Sequence, residues 1–166
     1  FFMPFNKGRG EGINAGAGNP LIEGDYAVSY MWKDIWTKDT ILDLLSKFIY
    51  VEKKKAKDHD TGKTKTKETL IFPRYHQLDL IRKVLADVKE NHSSQNYLVE
   101  HSAGSGKTNS IAWLTFRLTS LHDDDDRIIF DTVIVVTDRV VVDRQLQAAL
   151  LNMDHKIGQI RVMDEK

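Results

Sequence analysis

The residues best suited to chemistry stand together at His101-Ser102-Ala103-Gly104-Ser105-Gly106-Lys107-Thr108. A short apolar run, Tyr97-Leu98-Val99, precedes them, and a helix-period segment with Ile111, Leu114, Leu118 and Leu121 on one face follows. Strand, glycine-bearing turn, Gly-Lys-Thr and helix form the setting of a phosphate-binding loop. Glycines let the backbone curl so that several N–H groups aim at one anion, here along Ala103, Gly104, Ser105 and Gly106. Lys107 would reach the β- and γ-phosphates, Thr108 would ligate Mg²⁺ through the nucleotide, and the helix N-terminus adds partial positive charge. Lys107 and Thr108 are thus the candidate catalytic pair. His101 stands where such loops usually open with glycine. The rival reading is a plain strand-to-helix turn with a lysine at the helix start; the flanking elements favour a nucleotide site.

Two further clusters could serve that site. In Phe72-Pro73-Arg74-Tyr75-His76-Gln77, the planar amide of Gln77 can donate to and accept from an adenine edge. Arg74 and Tyr75 could stack on or cover the base. A glutamine at a helix start is just as often simply solvated. The second cluster, Thr137-Asp138-Arg139 with Asp143-Arg144-Gln145 one turn later, follows the apolar run Val133-Ile134-Val135-Val136. Open α/β sheets hold ligands at the carboxyl ends of such strands. Arg139 and Gln145 suit the phosphates and sugars of a nucleic-acid strand. The competing reading makes Asp138 a Mg²⁺-binding acid, as in small P-loop kinases, although Arg139 rather than a second acid follows it.

The elements that must position these groups can be read from periodicity. Residues 1–24 hold six of the ten glycines, with Asn6, Asn14 and Asn19 among them, and read as loop. Tyr26 to Trp36 is aromatic and apolar. Thr37 or Asp39 could cap a helix over about 39–50, with Ile41, Leu42, Leu45, Phe48 and Ile49 on one stripe. Lys53 to Lys67 contains seven lysines and no large apolar residue. That run reads either as a solvated loop or short hairpin, or as a surface for a phosphate backbone. Pro73 suits a helix start, with Leu78, Ile81, Leu85 and Val88 on one face. Asp123 to Asp126 reads as an acidic turn. A helix with Val142, Leu146 and Leu150 follows the 133–136 run, then a weak strand at Ile160-Arg161-Val162. Alternating strands and helices imply a parallel sheet with right-handed crossovers.

Composition excludes several classes. Hydrophobic residues at 41% and charged residues at 29% are ordinary for a globular chain of 166 residues. No apolar stretch approaches the roughly 18 residues of a membrane span. The absence of cysteine excludes disulfides and thiolate metal sites and fits a reducing compartment. Zero formal net charge gives no global pull toward nucleic acid, so such binding must come from local patches. The six histidines form no metal-ligand pair at helical spacing. A start at Phe1 rather than Met is expected of an excised piece.

From Lys67 to Gln147 the sequence resembles the motor domain of superfamily 2 DNA helicases and translocases. More narrowly, it resembles the restriction (R) subunit of type I restriction–modification enzymes. Phe72 to Gln77, Gln95 to Leu114, Phe130 to Arg139 and Asp143-Arg144-Gln145-Leu146 carry the likeness. His101 at the head of the loop is a mark of that family. Met3-Pro4-Phe5-Asn6-Lys7-Gly8, Gly18-Asn19-Pro20 and Ser29-Tyr30-Met31-Trp32 resemble the segment that links its nuclease to its motor.

The resemblance implies an α/β chain: a connector over 1–66, mainly helix and loop, then the front half of a first RecA-like lobe over 67–166. It implies ATP and Mg²⁺ as cofactors, with Arg74 and Gln77 at the adenine and residues 103–108 at the phosphates. Thr137, Asp138, Arg139 and Gln145 would contact duplex DNA. Partners would be the methylation and specificity subunits of the complex, in the cytoplasm of a bacterium or archaeon, with no membrane. Such a motor also needs an Asp-Glu strand end to orient Mg²⁺ and the attacking water. Asp164-Glu165 follows only a weak strand, and the nuclease carboxylates are not found. The piece alone is expected to bind nucleotide weakly and to hydrolyse none. Another superfamily 2 repair translocase, or a P-loop kinase, remains the alternative.

Overall fold

Thr37 decides where the first helix begins. In the computed structural model, which describes residues 5–10, 16, 18–57, 64–92 and 95–153, its Oγ1 accepts the Thr40 N–H at 3.4 Å and donates to the Asp34 carbonyl at 2.8 Å. This ties an orphan first-turn donor of helix α1 (Lys38–Lys47) to a π-helical turn, Met31–Ile35, just before it. The buried stripe is Thr40, Leu44 and Phe48. That corrects the stripe read from the sequence, since Leu42 and Leu45 face water while Ile41 and Ile49 are half-buried. An i, i+4, i+8 row containing a threonine escapes a count of apolar residues alone.

The chain divides into two compact units: Phe1–Ile49 with Phe72–Asp79, and Tyr50–Ile71 with Leu80–Lys166. In the first, the glycine-rich segment is tied rather than loose where it is described. Arg9 and Gly16 exchange backbone hydrogen bonds of 3.0 and 2.8 Å, and the Gly8 N–H donates to Gly18 O at 2.9 Å. An aromatic cluster forms the unit's packing centre. Phe5 meets Phe72 and Tyr75 edge-on, Tyr30 meets Tyr75 at 5.3 Å, and Lys7 Nζ lies 5.1 Å from the Tyr30 centroid. Tyr30 also donates its hydroxyl to the Phe5 carbonyl.

In the second unit, β1 (Tyr50–Lys57) and β2 (Thr64–Ile71) pair antiparallel, in a register running from Tyr50↔Ile71 to Lys57↔Thr64. This hairpin occupies most of the lysine run. Helix α2 (Tyr75–Asn91) starts in the first unit and contributes its residues from Leu80 to the second. Leu78, Ile81, Leu85 and Val88 are buried as their spacing predicts, joined by Val84. Helix α3 (Lys107–Leu118) packs on α4 (Val140–Met153), and α4 also touches β1. Helix α3 buries Ser110, Ala112 and Trp113, so its buried face is rotated from the expected Ile111, Leu114, Leu118 and Leu121 stripe, of which only Leu121, just past the helix, is buried. Trp113 is the reason: fully buried, it takes Tyr50 edge-on at 6.2 Å and fixes which side of α3 turns inward. Helix α4 buries Leu146, Ala149, Leu150 and Met153.

The hairpin is the one sheet among the described residues. Tyr97–Val99 and Val133–Val136 have the composition of buried strands but no sheet partner there, and Leu98 and Val136 are 96% and 87% exposed. A parallel strand is completed only by neighbours far away in sequence. The weak strand at 160–162 and Asp164-Glu165 lie outside the described residues. The acidic turn closes on itself: the Asp123 carboxylate accepts the N–H groups of Arg127 (2.8 Å) and Asp125 (3.0 Å), which holds its pKa below the usual value. Among the described residues no helix is long and apolar enough to cross a membrane, and no cluster of acids and histidines could hold a metal ion.

Candidate functional site

The turn before α3 is curled by its glycines. Gly104 has φ +73° and Gly106 φ +84°, a left-handed conformation that L side chains rarely adopt. Gly106 is the N-cap of α3, and its carbonyl accepts the N–H groups of Asn109 (3.0 Å) and Ser110 (3.2 Å). Within the turn, Ser105 N–H donates to Ser102 O at 3.3 Å, and Ser105 is buried. The backbone N–H groups of Lys107 and Thr108 open the helix and have no partner among the described residues, as first-turn donors without a side-chain cap must. Lys107 folds back across the turn, its Nζ donating to His101 O at 3.0 Å and Ser102 O at 2.8 Å. The ammonium group thus lies over the curled backbone, at the surface, within reach of an anion seated on the helix start. Thr108, half-buried, follows directly. This donor set suits a polyphosphate with its cation: backbone N–H groups, one lysine and one hydroxyl.

Beside the first turns of α3 lies an open cleft of about 420 Å³, lined by Ile111, Val136, Thr137, Asp138 and Val142. Thr137 and Asp138 thus border helix α3. Ile111 and Val142 were read there as core; their place at the cleft could have been inferred from Ile111 lying one turn beyond Lys107. Arg139 immediately precedes α4, its carbonyl accepting Asp143 N–H at 2.9 Å, and its exposed guanidinium lies 3.8 Å from Asp138. Asp143 accepts from Gln147 Nε2 at 2.7 Å, and Gln145 faces solvent.

Arg74 and Gln77 belong to the first unit, the phosphate loop to the second. Gln77 is buried, and its Oε1 accepts the Arg74 N–H at 2.8 Å while its own N–H returns to Arg74 O at 3.0 Å. This reciprocal link at N-cap and third position secures the start of α2, a local duty beside the base-reading role expected of it.

A family profile for the SWI2/SNF2 ATPase matches residues 76–165, just over half of the chain. The chain belongs to the SWI2/SNF2 ATPase family. No curated protein matches it, and no solved structure does. As a SWI2/SNF2 ATPase it is a member of the superfamily 2 helicase-like ATPases, enzymes that use ATP, and the curled turn lies inside the matched segment. So do Gln77, Thr137 to Arg139 and Gln145. Arg74 and the lysine-rich hairpin of this SWI2/SNF2 ATPase fall before it.

Proposed function

We propose that this SWI2/SNF2 ATPase is the ATP-binding front of a superfamily 2 translocase acting on duplex DNA, and in narrower form part of the R subunit of a type I restriction enzyme. The observation that carries the reading is the pairing of two left-handed glycines with Lys107 and Thr108 at the start of α3. The turn's N–H groups and Lys107 hold the β- and γ-phosphates, and Thr108 holds Mg²⁺, which neutralises phosphate charge when bound. Gln77 and Arg74 serve the adenine. Thr137, Asp138, Arg139 and Gln145 face the DNA. Tyr97–Val99 and Val133–Val136 are the segments that join the parallel sheet of a RecA-like lobe when neighbouring strands pair with them. The narrower assignment rests on His101 at the head of the loop and on the resemblance of residues 3–8, 18–20 and 29–32; methylation and specificity subunits are then the partners, in a bacterial or archaeal cytoplasm.

Titration with a fluorescent ATP analogue and Mg²⁺ tests this. Binding is expected, competed by ATP, and reduced roughly 10- to 100-fold in Lys107→Ala, the range of one charge-assisted hydrogen-bonding group. Equal binding by the variant refutes the site. Steady phosphate release is not expected, because the sequence places no Asp-Glu after a buried apolar strand.

A further inference from the structure

A two-stranded hairpin exposed on both faces is marginal by itself in water, so one that persists has a task or an anchor. The β1–β2 hairpin has an anchor at its base only. Tyr50 is buried against Trp113 of α3, whereas from Lys53 on β1 and along β2 from Thr64 to Leu70 every described side chain is exposed. Eight residues per strand carry it about 27 Å at the usual rise. Its strands hold six lysines against two glutamates.

The arrangement of these charges separates two explanations. Lysines on edge strands guard against aggregation, and both strands of a two-stranded sheet are edges. Here they occupy both faces. Lys54 stands directly opposite Lys67, a like-charged pair that costs stability. Both glutamates are already engaged, Glu52 with Lys54 at 2.9 Å and Glu68 with Lys53 at 3.2 Å. Lys55 and Lys67 have no carboxylate partner among the described residues. Stability is therefore given up to keep a dense positive surface in water. The anchor adds the second half of the argument: Trp113 sits on the helix that starts at Lys107, so the arm is fixed to the nucleotide-binding element itself.

We propose that the β1–β2 hairpin is a DNA arm, gripping the phosphate backbone of a duplex through the cross-strand pair Lys54 and Lys67 on one face, without reading its sequence. The inference rests on the translocase reading for its choice of duplex DNA. Charge complementarity supports it: lysines that displace condensed counterions from a duplex give binding that weakens steeply with salt.

The test is fluorescence anisotropy of the chain with a short labelled duplex, from about 50 to about 200 mM salt. Each phosphate contact contributes a slope of about 0.9 in log affinity against log salt. Changing Lys54 and Lys67 together to Gln is expected to lower the slope by about 1.8, so the affinity lost across that range shrinks about 12-fold. The matching double change to Arg is expected to keep the wild-type slope, and the melting temperature reports that both variants fold. An unchanged slope in the Gln variant, with wild-type chain still binding the duplex, overturns the arm and leaves the translocase reading standing. Failure of the wild-type chain to bind duplex at low salt overturns both. A slope that falls only on phosphatidylserine vesicles, and not on DNA, overturns the arm in favour of a membrane surface.

Discussion

Gly104→Ala isolates what the curled turn contributes. At φ +73° an alanine is strained, yet a Cβ built there meets no atom within 4 Å. The cost is therefore conformational, about 1–2 kcal/mol for a left-handed L-residue. Stability falls by less, about 0.5–1.5 kcal/mol, because alanine also restricts the unfolded chain. Where the free turn sheds the strain, stability is spared and nucleotide affinity bears the cost instead. The turn relieves it by swinging φ negative, which points its N–H groups away from the phosphates, and no unfolded-state term offsets that. One to two kcal/mol corresponds to roughly 5- to 30-fold weaker binding. Asparagine tolerates the left-handed region better, so Gly104→Asn should lose distinctly less. Titration with a fluorescent ATP analogue and Mg²⁺, beside urea unfolding of the same preparations, measures both effects. Wild-type affinity in Gly104→Ala, or equal losses in the Ala and Asn variants, would refute the argument that backbone conformation builds the cradle.

Burial, with the Glu52 charge adding to it, pushes the Tyr50 hydroxyl from its ordinary 10.0 up to about 12. The fold thus favours neutral Tyr50: its contribution is complete below pH 10.0 and is lost as pH rises through about 12. Urea midpoints should fall across that alkaline window, and Tyr50→Phe should remove the part of the fall due to this group. At the first helix, Thr37→Ala should cost about 1 kcal/mol in urea unfolding with unchanged m-value, toward the low end because the capping contact is long at 3.4 Å. Thr37→Ser should restore most of it, and no restoration would show that Oγ1 does not cap.

The curled turn before α3 was legible in the sequence because it is local: its glycines, lysine and threonine are adjacent, and the left-handed φ values fall on the glycines. Helix α2 was legible because one unbroken apolar row dictates its buried face. The faces of α1 and α3 were not, because Thr40 and Ser110 bury as readily as the apolar residues beside them and Trp113 outweighs its neighbours in size. The hairpin was half-hidden. Its strands carry lysine and threonine on both faces, and only Tyr50, Val51, Leu70 and Ile71 at the base signal where pairing is fixed. Gln77 gave no cap signal because such boxes usually open with serine or threonine, where this chain has Arg74. The alternation of strands and helices implies a parallel sheet, but the strands that would pair with 97–99 and 133–136 are distant in sequence, and periodicity does not say which they are.

Those two apolar stretches carry a calorimetric consequence. Leu98, Ile134 and Val136 are wet in the folded chain, so melting changes their hydration little and they add little to the heat capacity of unfolding. A domain of this length ordinarily gains roughly 2–2.5 kcal/mol/K on unfolding. These side chains withhold only a small part of that gain, so they flatten the arc of the free energy against temperature slightly.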